Sequence, residues 1–466
     1  MPDIRGAVQF GRVATILFVV DIISIVVIFN VVCCFEFAGW KQIISFPLLV
    51  IIAFLLLILY VFDLYTVDGR DSGTSLVVRT ISAVIVAGVV LAGLGYITKL
   101  IETEPLFFRS VLAGGLTVFL PWAAVTRYCA LSWVRKVVKQ VRWLVVTDVD
   151  ANSALGRDIL AINEKGSMSI VLPELDGKGD TPRYLNTNVV GTYDSFNKLT
   201  KENWSGVVIA TEGSLPDKVV RRVMELRLSG VRIYDLTDFY EEFMQKVPIR
   251  HLRDNWFALS HGFDLLHHNM QMRIKQVLDI VFSLVLLVIA SPLLLLIAIA
   301  IKLDCKGNSK GPVLYKQLRT GLNGTDFYII KFRTMVNDAE IEGPQWAAKG
   351  DSRTTHVGRF LRRSRLDELP QLWNVLKGEM SFIGPRPERP EFNRKLEKVI
   401  PYYDLRHLTK PGIAGWAQVK YDYGSSTQDA LEKLQYDIYY IKNYSLLLDL
   451  SIFFKTIRVV LGQRGR

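Results

Sequence analysis

Two adjacent carboxylates, Asp367 and Glu368, stand inside Arg365-Leu366-Asp367-Glu368-Leu369-Pro370-Gln371. Arginines crowd them from both sides: Arg359, Arg362, Arg363 and Arg365 before, Arg386 and Arg389 after. Leu369, Leu372, Trp373 and Leu376 recur at helical spacing and Gly378 supplies a stop, which predicts a short helix with the acids at its mouth. Pro370 is compatible with a first turn. Asp367 is thereby expected at a helix N-terminus, where backbone N–H groups favour anions. A carboxylate kept ionised among arginines, beside a second acid able to hold a metal, suits attack on a phosphate. The same residues also read as an N-capping pair on a solvated basic helix, and their types alone do not choose between the two.

The elements that must hold this cluster belong to a long, apolar, basic chain. Of its 466 residues half are hydrophobic, and the formal net charge is +11. No nucleic-acid-binding signature accompanies that charge, so it points to anionic lipid and phosphorylated substrates, not to RNA or DNA. Cys33, Cys34, Cys129 and Cys305 have no zinc spacing and suggest no disulfide framework. Four apolar runs, roughly Val13–Val32, Ile43–Phe62, Ile81–Ile101 and Val111–Val134, each approach the ~20 residues that span a bilayer. The first is too long for a cleavable signal. Arg5 and Arg12, Arg70 and Arg79, then Arg135, Lys136, Lys139 and Arg142 place both ends of the bundle in the cytoplasm by the positive-inside rule. Asp21, inside the first run, calls for a partner or an interior position.

The section from Arg142 to Phe257 alternates short apolar runs with polar helices. Strands are expected at Trp143–Thr147, Ser169–Leu172, Gly206–Ala210 and Gly230–Tyr234, and helices at Ala154–Ile162 and Asp217–Leu228. That βαβ alternation predicts a parallel, Rossmann-like sheet. The turn after the first strand, Thr147-Asp148-Val149-Asp150-Ala151-Asn152, lacks the Gly-x-Gly-x-x-Gly fingerprint, so no dinucleotide is expected there. A fifth apolar run, Ile280–Ile301, has Ser291-Pro292 at its centre. Eleven helical residues rise about 16 Å, half the hydrocarbon core. A helix broken at Ser291-Pro292 could enter one leaflet and return, with Arg273, Lys275 and Lys302 snorkelling to one surface. Hydropathy by itself also allows an ordinary proline-kinked span.

Lys331-Phe332-Arg333-Thr334-Met335, Leu366-Asp367-Glu368-Leu369-Pro370-Gln371, Gly384-Pro385-Arg386-Pro387 and Lys410-Pro411-Gly412-Ile413-Ala414-Gly415-Trp416-Ala417-Gln418-Val419 follow one another in that order. In this the C-terminal half, from about Arg273 to Gly462, resembles the bacterial sugar transferases. These are the monotopic phosphoglycosyl transferases that start polysaccharide assembly on a polyprenyl phosphate. The N-terminal part is similar to the large subgroup, and Gly230–Tyr234, Phe239–Glu241 and Lys246–Pro248 to its exosortase-associated branch. The resemblance decides the fifth run in favour of a re-entrant helix, about 274–303. The expected fold is a membrane α plus α/β chain with three domains. A four-helix transmembrane head (1–141) precedes a Rossmann-like domain without nucleotide fingerprint (142–258) and an α+β catalytic domain (259–466).

The resemblance further implies transfer of a hexose 1-phosphate from a UDP-sugar to undecaprenyl phosphate at the cytoplasmic face of the bacterial inner membrane, the first membrane step of exopolysaccharide synthesis. Glucose and galactose lead among the sugars. Asp367 would be the nucleophile, forming a covalent phosphosugar–aspartyl intermediate as UMP leaves. Glu368 would hold Mg²⁺, with Asp367 touching the same ion. Arg362 matches a family phosphate contact, and Arg386 lies in the matching turn, where prolines hold its guanidinium for bidentate binding. Lys331 and Arg333, on one face of an apparent strand, would contact phosphate or lie as surface charge near lipid. Arg365 and Ala414 depart from the family pattern. A homodimer is expected from the subgroup. A non-catalytic membrane scaffold and a nucleotide-sugar-modifying enzyme are the competing functions; the second would need the missing glycine-rich turn.

Overall fold

The computed structural model describes residues 4–37, 44–66, 72–98, 104–140, 142–149, 168–172, 189–193, 196–199, 204–211, 213–252, 256–260, 262–263, 269–304, 311–336, 351–421 and 426–461, with 153, 156, 157, 159, 202 and 424. It divides into two compact units, Met1–Met244 and Gln245–Arg466. The fold is mostly helical, with a parallel sheet and four helices long and apolar enough to cross a membrane.

Three of those four lie in the first unit: α1 (Ile4–Glu36), α3 (Gly73–Ile97) and α4 (Arg109–Gln140). The second expected span is shorter than its apolar run. Helix α2 (Phe46–Val61) has 16 residues, about 24 Å, because Pro47 sits in its first turn and Asp63 leaves it with φ 62°. Ile25 and Phe29 from α1, Leu48, Ile51 and Leu55 from α2, Ala83 and Ala87 from α3, and Phe119 and Ala123 from α4 share one buried cluster. Asp21 has the partner its position demands. Arg127 of α4 grips it bidentately, at 2.8 Å and 2.5 Å, and the Tyr65 hydroxyl donates to it at 2.7 Å.

The same unit carries five parallel strands, β1 (Trp143–Thr147), β2 (Met168–Leu172), β3 (Val189–Thr192), β4 (Gly206–Ala210) and β5 (Ile233–Asp235), in the order β3-β2-β1-β4-β5. Strand β1 is buried on both faces, as central parallel strands are. Helix α5 (Asp217–Leu228) turns Val219, Val223 and Leu226 onto one face of the sheet. The helix expected at Ala154–Ile162 lies largely outside the described residues.

The second unit contains α6 (Asn269–Leu303), the fourth candidate membrane helix. The expected interruption at Ser291-Pro292 is not found: the helix runs through both residues. Pro292 has no N–H to offer the Val288 carbonyl one turn back. The Ser291 hydroxyl donates to that carbonyl instead, at 2.8 Å, so the proline orphans no acceptor and the helix continues.

Strands β6 (Leu314–Thr320) and β7 (Asp326–Phe332) form an antiparallel hairpin, turned by Asn323 and Gly324 with φ 52° and 76°. Helix α7 (His356–Ser364) begins where Thr355 Oγ1 accepts the Gly358 N–H at 2.9 Å, and ends at left-handed Arg365. A six-residue 3₁₀ helix (Leu366–Gln371) and α8 (Leu372–Leu376) follow, stopped by Gly378 at φ 78°. Strands β8 (Ser381–Ile383) and β9 (Gly412–Ala414) pair in parallel. Helix α9 (Thr427–Lys442), started by a Ser426/Asp429 capping box, and α10 (Leu446–Leu461) complete the unit around Tyr403, Trp416, Leu434, Ile438 and Tyr440.

Candidate active site

Asp367 and Glu368 lie in the 3₁₀ helix, each 8% exposed. The solvated capping pair that the sequence also allowed is thereby ruled out. The helix end is not what steadies their charge, since a six-residue 3₁₀ segment has little dipole. Cations do that work. Arg386 Nη2 lies 2.5 Å from Glu368 Oε1, with Nη1 3.4 Å from Oε2; Lys331 Nζ and Arg365 Nη1 each stand 3.8 Å from Oε1. Among the described residues, these ion pairs fall on Glu368 and none on Asp367.

That asymmetry separates two carboxyls that are neighbours in sequence. Burial pushes the Glu368 carboxyl up, but Arg386, Lys331 and Arg365 overrule it and hold it well below the carboxylate range. Burial and the neighbouring Glu368 charge push Asp367 up, and the charges of Lys331, Arg362 and Arg386 only partly offset this. Glu368 is a fixed anion; Asp367 is the more basic oxygen, with its carboxylate uncommitted. Lys331 is lowered to about 7, chiefly by burial against the attraction of Glu368, with Arg386 and Arg319 adding to the fall.

Each residue expected from the sequence can now be placed. Asp367, Glu368, Lys331 and Arg386 form one cluster, and Arg365 joins it although it departs from the family pattern. Arg362 donates from Nε to Thr334 Oγ1 at 3.0 Å, and its charge acts on Asp367. Arg333 is buried just past β7, its N–H on the Val313 carbonyl, and does not join the cations on Glu368. Ala414 is buried in β9.

Three supporting residues escaped the sequence reading. Asn374 is fully buried and ties α8 to β7: its Nδ2 donates to Tyr328 O at 2.8 Å, and its Oδ1 accepts Ile330 N–H at 3.1 Å. Arg406 and Asp437 pair at 2.9 Å inside the unit. Asp437 is 2% exposed. The available clue was its place between Leu434 and Ile441, on the apolar face of α9.

No group of three or more His, Cys, Asp or Glu side chains gathers at metal-binding range among the described residues. Mg²⁺ does not require one: it takes one or two carboxylates and completes its shell with water and substrate phosphate. Asp367 and Glu368 offer that donor set, although Glu368 would have to exchange one of its cations for the ion.

A family model described as bacterial sugar transferase matches residues 270–463. The UDP-N-acetylgalactosamine-undecaprenyl-phosphate N-acetylgalactosaminephosphotransferase of Aeromonas hydrophila is 43% identical over 238 residues, 51% of this chain and 54% of that protein. The UDP-glucose:undecaprenyl-phosphate glucose-1-phosphate transferase of Xanthomonas campestris pv. campestris is 40% identical over 282 residues, 58% of this chain and 54% of that one. The chain thus spans about half the length of these two relatives. A protein of the latter name from Caulobacter vibrioides is 43% identical over 187 residues, 39% of this chain and 68% of its own length. With the family match covering the acid pair, its arginines and the apolar helix α6, the chain belongs to the bacterial sugar transferase family.

Proposed function

We propose that the chain is a polyprenyl-phosphate hexose-1-phosphate transferase. A UDP-hexose would donate, undecaprenyl phosphate would accept, and the reaction would open exopolysaccharide repeat-unit assembly at the cytoplasmic face of the inner membrane. The observation that carries the reading is the buried acid pair in which Glu368 is saturated with cations and Asp367 is left uncommitted. In the first step an Asp367 oxygen bonds to the sugar-bearing phosphorus, the bond from that phosphorus to the bridging oxygen breaks, and UMP departs with the electron pair. In the second step an oxygen of undecaprenyl phosphate attacks the same phosphorus, and the aspartyl oxygen leaves as carboxylate. Division into two displacements lowers each barrier. Arg386, Lys331 and Arg362 provide positive charge where phosphate oxygens gather it. A Mg²⁺ ion held by Asp367 and Glu368 would supply further neutralisation of the diphosphate.

A re-entrant α6 is supported by its attachments. Near its start Lys275 pairs with Asp449 at 2.7 Å, and Asp279 accepts from Ser381 Oγ at 2.7 Å and Phe382 N at 3.1 Å. At its end Lys302 donates to Gly311 O at 3.2 Å, and Asp304, just beyond, accepts from Val357 N at 2.9 Å. A helix crossing the bilayer would need parts of one polar unit on both sides. A helix that enters one leaflet and returns would need them on one, with Pro292 as the turning point although the helix is continuous there. The strand order β3-β2-β1-β4-β5 likewise supports a Rossmann-like middle domain, and its first turn gives no reason to add a nucleotide there. The relatives' names divide between glucose and N-acetylgalactosamine, so the donor is drawn here as a UDP-hexose or its N-acetylated form.

The test supplies membranes containing the chain with undecaprenyl phosphate and a panel of UDP-sugars, and measures UMP release. Asp367→Asn is expected to abolish turnover and the phosphosugar adduct seen by mass spectrometry of quenched single turnovers. An adduct-free Asp367 in wild-type chain that is making product would refute the mechanism.

A further inference from the structure

We infer that Arg406, held by Asp437, is a positioning residue that fixes Arg386 against the acid pair; the inference rests on the transferase reading above. The loop Gly384-Pro385-Arg386-Pro387-Glu388-Arg389-Pro390 has three prolines, so much of its backbone has no N–H with which to anchor itself. It is anchored through its carbonyls, four in succession. Gly412 N–H donates to Pro385 O at 2.8 Å, and Arg406 Nη2 to Arg386 O at 2.9 Å. Arg319 Nη1 donates to Pro387 O at 3.1 Å, and Thr320 N–H to Glu388 O at 3.0 Å. Two of the four donors are guanidinium groups, and the one on Arg386 itself is Arg406.

Arg406 is placed to do nothing else at the site. It is 7% exposed, and its other bonds run to the Tyr403 hydroxyl at 2.6 Å and Asp437 Oδ2 at 2.9 Å. Asp437 is 2% exposed. A buried ion pair of this kind is weak evidence for stability, since an apolar pair of similar volume often serves the fold as well. What an apolar pair cannot supply is a rigid fork that reaches a carboxylate, a phenol and the Arg386 carbonyl together. The connection runs from Asp437 to Arg406, to the Arg386 backbone, and through the Arg386 side chain to Glu368, 2.5 Å away.

A double-mutant cycle tests this, on the full chain in membranes, with Arg406→Lys introduced into wild type and into Arg386→Gln. UDP affinity and the single-turnover rate of adduct formation are the readouts. In wild type Arg406→Lys is expected to lower both, the rate by about 10- to 100-fold, the scale of a misplaced active-site group. In Arg386→Gln the same change is expected to cost less than about 2-fold, because the group it orients is already gone. Asp437→Asn, which keeps an acceptor for Arg406, is the second variant should Arg406→Lys fail to fold, and the same dependence on Arg386 is expected at smaller size. Equal losses in both backgrounds overturn the positioning role. A wild-type chain that binds UDP yet releases no UMP overturns the transferase reading, and the cycle in UDP affinity still decides the role of Arg406.

Discussion

Removing Arg127 from the membrane head isolates one buried charge. Asp21 and Arg127 have no exposed side-chain surface, and two near-parallel hydrogen bonds of 2.8 Å and 2.5 Å join them. Arg127→Met leaves the Asp21 carboxylate with the Tyr65 hydroxyl alone, at 2.7 Å. Breaking a buried pair by taking one partner costs about 3–5 kcal/mol. For a unit of this size each kcal/mol moves the melting midpoint by about 2–4 °C, so a fall of about 6–20 °C is expected. The triple variant Asp21→Leu/Arg127→Met/Tyr65→Phe removes every group that the charge leaves wanting, and its midpoint should return to within a few degrees of wild type. Differential scanning fluorimetry of the full chain in nanodiscs measures both, and UMP release per folded molecule should be unchanged in the triple variant. A triple variant that melts like Arg127→Met would refute the pairwise accounting. One that is stable but inactive would show that the buried charges serve chemistry and not architecture.

Three further outcomes are expected. EDTA should stop UMP release and Mg²⁺ restore it; turnover indifferent to EDTA rejects the ion at Asp367 and Glu368. Burial, and then Arg406, push His407 down to about 4, from an ordinary 6.5. The unfolded chain therefore binds this proton first, so the residue's stability is full above about pH 7 and drains away as pH falls from about 6.5 to 4. Between pH 7.5 and 5 it accounts for about 1–2 kcal/mol after discounting its partial exposure. His407→Gln should narrow the urea-midpoint gap between those two pH values, and an unaltered gap counts against it. Gly358→Ala would drive a Cβ into the Thr334 carbonyl oxygen, so α7 must shift away from the Arg362–Thr334 contact. A loss of about 1–3 kcal/mol in stability is expected, with activity lowered by about 10-fold or more; wild-type values of both would contradict the close packing.

Local chemistry was readable in the chain, and tertiary partnership was not. The acid pair, its arginines and the proline-rich turn announce themselves by residue type over short spacing, and the parallel sheet by alternation of runs. Asp21 declared that it needed a partner, but Arg127 lies 106 positions away and no period links them. Asn374 and Arg406 are likewise silent, because an Asn or Arg that satisfies distant backbone looks like any surface polar residue. At Ser291-Pro292 the helix stays continuous. Local propensity predicts a break there, but the serine hydroxyl fills the acceptor that the proline abandons. The second apolar run yields a helix of 16 residues, because apolar length ignores where Pro47 and Asp63 set the helix ends.

Helix α6 explains why an apolar segment belongs in the same unit as a cluster of charges. Its first half accepts hydrogen bonds through Asp279 from Ser381 and Phe382 of β8, and that strand runs directly into Arg386. Its second half packs Ile297 and Ile301 against Phe332 and Leu361. Those two residues adjoin Lys331 and Arg362 in sequence, one at the end of β7 and the other within α7. The cations that face the acid pair thus arrive on separate elements fastened to two halves of one apolar helix. Any change in the geometry of that helix about Pro292 would be felt as a change in the spacing between Arg386 on one side and Lys331 and Arg362 on the other. The charged cluster and the apolar helix are in this sense one mechanical part.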